Sequence, residues 1–246
     1  MTIKEMHELF RVLGQQMGMQ KVRGILPESI DILLNTSIVH CVRQIITSNV
    51  TTNFGNIVAT QRNKVSVINA LRTLYVEDIQ ELEYNDEESV PYPIEASLTY
   101  DFKVFSIINC DVAYDESEPY KYISTRLIEP NLIAEVERDY LLKPTPKFPV
   151  ATIVDADDNY MADETYIKYN FYTADTKVTK VKSSFIKYPA KVYYDIDDNK
   201  CVDCDLPIHL HHAVVEEAVR LYFQSVNLTS GSSNDESQQN NKNNRQ

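Results

Sequence analysis

The stretch SSFIKYPAKVYYDIDDNKCVDCDLPIHLHHAVVEEAVRLYFQSV, Ser183–Val226, sets the plan from which the rest of this chain can be read. It opens on a short strand pattern, Ser184–Tyr188, which Pro189 stops, and continues with an alternating one at Ala190–Asp195. An acidic loop leads to Pro207, placed at a first helical position where its missing N–H costs nothing. From Pro207 to about Gln224 the pattern is that of an amphipathic helix. Leu210, Val214, Ala218, Leu221 and Tyr222 recur at spacings of three and four, flanked by Val215, Val219 and Phe223, while Glu216, Glu217, Arg220 and Gln224 take the other side. Strands feeding one last docking helix describe an architecture and carry no catalytic content.

Working outward, the beginning of the chain is helical. Thr2 and Glu5 have the spacing of a capping box, and Ile3, Met6, Phe10, Leu13 and Met17 mark one face of a first helix. Pro27 opens a longer one, with a stripe of Ile30, Leu33, Leu34, Ile38, Cys41, Val42 and Ile45. A third helical pattern covers Lys64–Val76, with Val65, Ile68, Leu71 and Leu74 inward. Residues 77–95 hold eight acidic residues and no base, and Pro91 and Pro93 close them; this reads as a loop and boundary, with some strand possible near Glu81–Tyr84. Beyond it the hydrophobic period changes from helical to two. Strands are expected at Val104–Ala113, Tyr120–Leu127 and Val150–Val154, and a hairpin at Glu164–Tyr172 with Thr176–Val181. A short helix is expected at 131–142, followed by a Pro-rich extended segment.

The fold class is therefore α+β: a helical platform from the N-terminal helices and the C-terminal helix, with an inserted β-rich domain. The expected boundaries are 1–76 for the N-terminal helices, 77–95 for the acidic loop, and 96–200 for the β-rich domain with its helix at 131–142. Residues 201–226 form the C-terminal helix packing on the N-terminal ones, and 227–246 a flexible tail, too rich in Ser, Asn and Gln to order itself.

Composition excludes several functions. The 246 residues carry a net charge of −12, the wrong sign for gripping a phosphate backbone. Only five glycines occur, and none lies between Gly55 and Gly231, which excludes Gly-rich phosphate loops there. No apolar run has the length of a membrane span. The opening MTIKEMHELF lacks the pattern of a secretory leader, so Cys41, Cys110, Cys201 and Cys204 are expected as thiols in a reducing compartment.

Three constellations bear on chemistry. Cys201-x-x-Cys204 followed by His209, His211 and His212 has the residue types of a zinc site, with Cys201, Cys204, His209 and His212 as the ligands. The gap from Cys204 to His209 is far shorter than the usual one between ligand pairs, and solvated surface is the preferred reading. Asp155-x-Asp157-x-Asn159 copies the start of a calcium loop. Tyr160 then stands where Gly is needed and Tyr166 where the bidentate Glu belongs, so a Gly-free turn accounts for it better. His7 falls on an exposed helix flank and His40 within the apolar arc of the second helix; neither has a nucleophile pattern beside it. No active site and no cofactor are expected.

Several segments, in order, resemble a family of virion structural proteins of tailed phages of gut bacteria, the crAss-like podoviruses. They are SIDILLNTSIVHCVRQII (29–46), INALRTLY (68–75), LLKPTPKFPVATIV (141–154), SSFIKYPAKV (183–192) and CDLPIHLHHAVVEEAVRLYF (204–223). The family is that of the ring, or neck, proteins that stack below the portal as head-to-tail adaptors. The resemblance implies a non-enzymatic subunit of a closed homo-oligomeric ring of twelve copies, in contact with the portal and adjacent tail rings. Genomic DNA would pass it without specific binding, along an acidic wall. A portal- or neighbour-binding arm would begin at Asn227, Leu228, Thr229 and Ser230. Two alternatives stay open: a small zinc-dependent module or enzyme built on the cysteine–histidine cluster, and an internal protein ejected with the genome.

Overall fold

A computed structural model of the chain describes residues 1–17, 24–50, 57–82, 92–114, 121–159, 164–174, 176–195 and 200–243. The fold is α+β, with five α-helices and two four-stranded sheets among these residues. The chain divides into two compact units: Met1–Thr73 with Pro189–Gln246, and Leu74–Tyr188.

The first unit holds α1 (Ile3–Gln16), α2 (Pro27–Val50), α3 (Ile57–Ala70) and α5 (Ile208–Asn243). Thr2 and Glu5 form the full capping box: the Glu5 N–H donates to Thr2 Oγ1 at 3.3 Å and the Thr2 N–H to the Glu5 carboxylate at 2.9 Å. These bonds satisfy N–H groups that the first helical turn leaves without partners. A further one, that of Ile3, donates to Asp203 Oδ1 at 2.7 Å. Ile3, Met6 and Phe10 of α1, Ile30, Leu34, Ile38 and Val42 of α2, and Val214, Val215, Ala218 and Val219 of α5 are all buried. α5 packs on both α1 and α2, and Phe10 meets Tyr222 edge to face at 6.2 Å.

Three local expectations shift here. α3 ends at Ala70, and its inward positions are Val67 and, in the turn that follows, Leu71 and Leu74, with Val65 exposed. Ala190–Asp195 pairs only through the isolated bridge Tyr193–Val202. Its edge is bound by side chains of α2 instead. Asn35 donates to Val192 O at 3.0 Å and accepts from Val192 N at 2.9 Å, so one amide does the work of a neighbouring strand. α5, finally, continues as helix to Asn243, through the stretch whose composition reads as a tail. Adding residues to a helix already docked requires no new nucleus, so weak helix formers can follow.

The second unit is a sandwich of two sheets. One has the order β1 (Tyr75–Glu81), β8 (Lys180–Lys187), β3 (Val104–Ala113), β4 (Ile123–Ser124), all antiparallel. The other has the order β2 (Ile94–Tyr100), β7 (Glu164–Tyr172), β6 (Val150–Asn159), β5 (Arg126–Ile128), antiparallel except for the parallel β5–β6 pair. Strict alternation on β2 buries Ile94, Ala96, Leu98 and Tyr100 and exposes Glu95, Ser97 and Thr99. These side chains join Cys110, Val112, Ile167, Tyr169, Phe171, Val181 and Phe185 in one core.

Several expectations are corrected in this unit. β7 and β8 do not pair with each other; each joins a different sheet. The link between them does turn at Ala174, which takes a left-handed φ of 51°, but it crosses between the layers. The acidic boundary contains most of β1 and the start of β2, so the β-rich unit begins well before residue 96. Its carboxylates are also not unopposed. Across the strands Glu77 pairs with Lys182 at 2.7 Å, Glu81 with Lys180 at 2.6 Å and Glu95 with Lys168 at 2.6 Å. The bases come from strands far away in sequence. Glu83, Asp86, Glu87 and Glu88 lie outside the described residues. Between β5 and β6, a 3-10 turn (Pro130–Leu132) leads into the short α4 (Ile133–Arg138), which ends four residues before the expected 142.

Candidate interaction surfaces and buried polar groups

Residues 139–148, DYLLKPTPKF, combine a fixed backbone with apolar side chains in water. Tyr140 is 94% exposed, Leu141 87%, Phe148 66% and Leu142 43%. Pro144 and Pro149 are buried and anchor the segment. The Asp139 carbonyl accepts from the N–H groups of Leu142 and Lys143, and its carboxylate accepts from Leu141 N at 2.8 Å. Thr145 and Phe148 exchange both backbone hydrogen bonds, and the Arg126 guanidinium donates to Leu142 O at 2.5 Å. Apolar side chains held out on a fixed loop are what a protein–protein contact requires, since little conformational freedom is left to lose on binding. Sequence reading placed Tyr140 on a helix with Leu132 and Val136. The overlooked signal was Tyr140–Leu142, an apolar run between Asp139 and Lys143-Pro144 that fits neither helical nor strand periodicity.

In the helical unit, α1 and α5 flank a groove of about 470 Å³, lined by Leu13, Gln16, Met17, Ala213, Glu217 and Arg220 among others, with Glu216 and Val219 also on its wall. The Arg220 guanidinium grips Glu217 with two bonds of 2.7 and 2.5 Å, and His40 Nδ1 approaches the same carboxylate at 2.9 Å. Arg220 above all, helped by His40, holds the Glu217 carboxyl below its usual range. His40 is thus a half-exposed ion-pair partner rather than a core histidine.

His7 is the reverse. It is buried, not on an exposed flank: its stripe runs Ile3, His7, Phe10, Gly14, all buried. Nε2–H donates to Asp31 Oδ1 at 2.8 Å, the ring lies 4.8 Å from that of Tyr194, and the Tyr194 N–H donates to Asp31 Oδ2 at 3.2 Å. His7 Nδ1 is buried with no hydrogen-bond partner. Burial lowers the His7 pKa from its ordinary value, against the opposing pull of Asp31. Asp31 is already committed to two bonds, and no nucleophile stands at the open nitrogen. The arrangement ties α1, α2 and the Tyr194 segment together.

The four residues of the zinc alternative are dispersed among other partners. Cys201 Sγ donates to Asp195 O and accepts from Asp195 N. Cys204 is buried, which pushes its thiol up to about 11. His209 is exposed, and His212 pairs with Glu216 at 3.3 Å. Between the last two, His211 is buried, donating from Nε2 to Leu206 O at 2.7 Å and accepting from the Met1 ammonium at 3.1 Å. Among the described residues no group of three or more His, Cys, Asp or Glu side chains could hold a metal ion. Asp155 and Asp157 lie on β6 in extended backbone paired with β7, which is not a calcium loop. The backbone of Asn227, Leu228, Thr229 and Ser230 belongs to α5. No helix among the described residues is long and apolar enough to cross a membrane.

No protein-family model matches the chain, and no curated protein matches it.

Proposed function

We propose that this chain is a structural subunit of a ring in the neck of a tailed phage, of the kind its sequence motifs resemble. It joins capsid to tail below the portal, and genomic DNA passes it without specific contact. The observation that carries the reading is the 139–148 projection, a rigid apolar surface built for a protein partner. It also lies on one of the segments that carry the resemblance, LLKPTPKFP. Closed rings need heterologous contacts, two different patches per subunit, and a sandwich inserted in a helical unit offers separate surfaces for them. The ion pairs of Glu77, Glu81 and Glu95 leave any acidic conduit wall to other residues. The proposed arm is helical from Asn227 to Asn243, and in this reading its partner is the portal or a neighbouring ring.

Quantitative mass spectrometry of purified virions, before and after genome ejection, tests this. The expected result is a copy number equal to that of the portal, retained in the emptied particle. Absence from virions overturns the reading, and loss on ejection replaces it with that of an ejected cargo protein.

A further inference from the structure

The projection and the groove complement each other, and we propose that they are two halves of one contact: the Tyr140–Phe148 loop of one copy of this chain seats in the α1–α5 groove of a second copy. This rests on the ring reading in taking the partner to be another copy.

Three observations select that occupant. The first is form. The tip is an apolar knob of Tyr140 and Leu141, held by the Asp139 turn and the buried Pro144 and Pro149. The groove, at about 470 Å³, has the size of pockets that receive such groups, and Leu13, Met17, Ala213 and Val219 give it an apolar lining. The second is charge. Lys143 and Lys147 against Asp139 leave the knob with a net +1, while Glu216 and Glu217 against Arg220 leave the groove with a net −1. Glu217 is bound by two guanidinium bonds from Arg220, whereas Glu216 has a single contact to the exposed His212 and 60% of its side chain in water, so Glu216 is the carboxylate that meets an incoming Lys143. Two copies of a chain carrying −12 repel each other, and a contact with locally opposite signs offsets that repulsion where it forms. The third is topology. Knob and groove belong to different units of the chain, so the contact is heterologous. Every copy offers one of each, so the association propagates from copy to copy, as the contact of a ring must.

The test is sedimentation velocity on the full chain over a wide concentration range. Wild type is expected to associate. Leu141→Arg spoils the knob and Ala213→Arg fills the groove; each should weaken association by about thirtyfold or more. An equimolar mixture of the two variants should form a dimer and nothing larger, because one intact knob and one intact groove remain between them. Lys143→Glu should weaken association, and adding Glu216→Lys should restore it. All four positions are exposed, so melting temperatures should not move; Tyr140→Ser and Met17→Glu serve as a second pair. A wild type monomeric throughout, or rings indifferent to both substitutions, overturns the contact. So does loss of association with Leu141→Arg alone, which means that the knob seats elsewhere. Rings that survive both substitutions leave the neck reading intact, whereas absence from virions removes that reading and leaves a knob-and-groove contact in solution untouched.

Discussion

His7 on α1 and Asp31 on α2 meet through a buried hydrogen bond of 2.8 Å, and the second oxygen of the same carboxylate holds the backbone of Tyr194. One side chain thus joins three stretches of the helical unit. Asp31→Ala leaves a buried donor on His7 and a part-buried one on Tyr194 unpaired, and urea unfolding should show a loss of roughly 1–3 kcal/mol or somewhat more.

The same histidine gives the helical unit a pH dependence of definite sign. Burial lowers the folded-state pKa of His7 below its ordinary 6.5, so the unfolded chain binds the proton more readily. Stability from this group is complete above pH 6.5 and falls as pH drops towards the folded pKa. His7→Phe should flatten that part of the profile relative to wild type. A steeper fall in the variant would mean that the Asp31 charge outweighs burial.

In the sandwich core, Tyr100 and Tyr169 bury hydroxyls that make no full hydrogen bond. Burial pushes both phenols well above their ordinary pKa of 10, with Ser183 close enough to hold the rise back only slightly. Removing an unsatisfied buried group relieves its desolvation. Tyr169→Phe should therefore leave the melting temperature unchanged or raise it, while Phe185→Ala in the same core should cost about 3–5 kcal/mol. A clear drop for Tyr169→Phe would show that Ser183 bonds the hydroxyl after all.

Ala174 occupies left-handed backbone at φ 51° where the chain leaves one sheet for the other. A Cβ there costs about 1–2 kcal/mol, partly offset by the greater freedom of glycine in the unfolded chain. Ala174→Gly should stabilise the protein by up to about 1 kcal/mol in a denaturant titration.

Burial raises the thiol pKa of Cys204 to about 11 and that of Cys110 to about 12. Both stay protonated at pH 8 and should resist alkylation until the protein is denatured, as peptide mass spectrometry would record. Protein purified without added zinc should show the same metal content as its Cys204→Ser variant; zinc lost with that substitution would restore the metal-site alternative.

How much of this was legible in the sequence depended on whether the signal was local. The Thr2–Glu5 box, the helix opened by Pro27 and the stripe of α5 are set within a few residues, and they stand as read. Strand pairing is not local. The patterns read as strands at 164–172, 176–181 and 184–188 do not say that the last two belong to one strand, β8, or that it joins a different sheet from β7. β1 was hidden because Glu77 and Glu81 look like loop residues until Lys182 and Lys180 arrive from a strand a hundred positions away. His7 and His40 exchanged expected roles for a related reason. A helical stripe is about a hundred degrees wide, and the neighbours that decide which edge faces inward, Asp31 and Tyr194 for His7 and Glu217 for His40, come from elsewhere in the chain.

The β unit leaves the helical unit at Leu74 and returns at Tyr188, with the Lys187 N–H bonded to the Leu74 carbonyl at 3.0 Å. During translation the sandwich is therefore finished before α5 emerges from the ribosome, and units of this kind fold as they are completed. Until then α1 and α2 have made their apolar faces without the helix that covers them. α5, synthesised after the sandwich, closes on α1, synthesised before it, so a copy terminated short of α5 retains a folded sandwich but lacks the helix wall on which the groove depends.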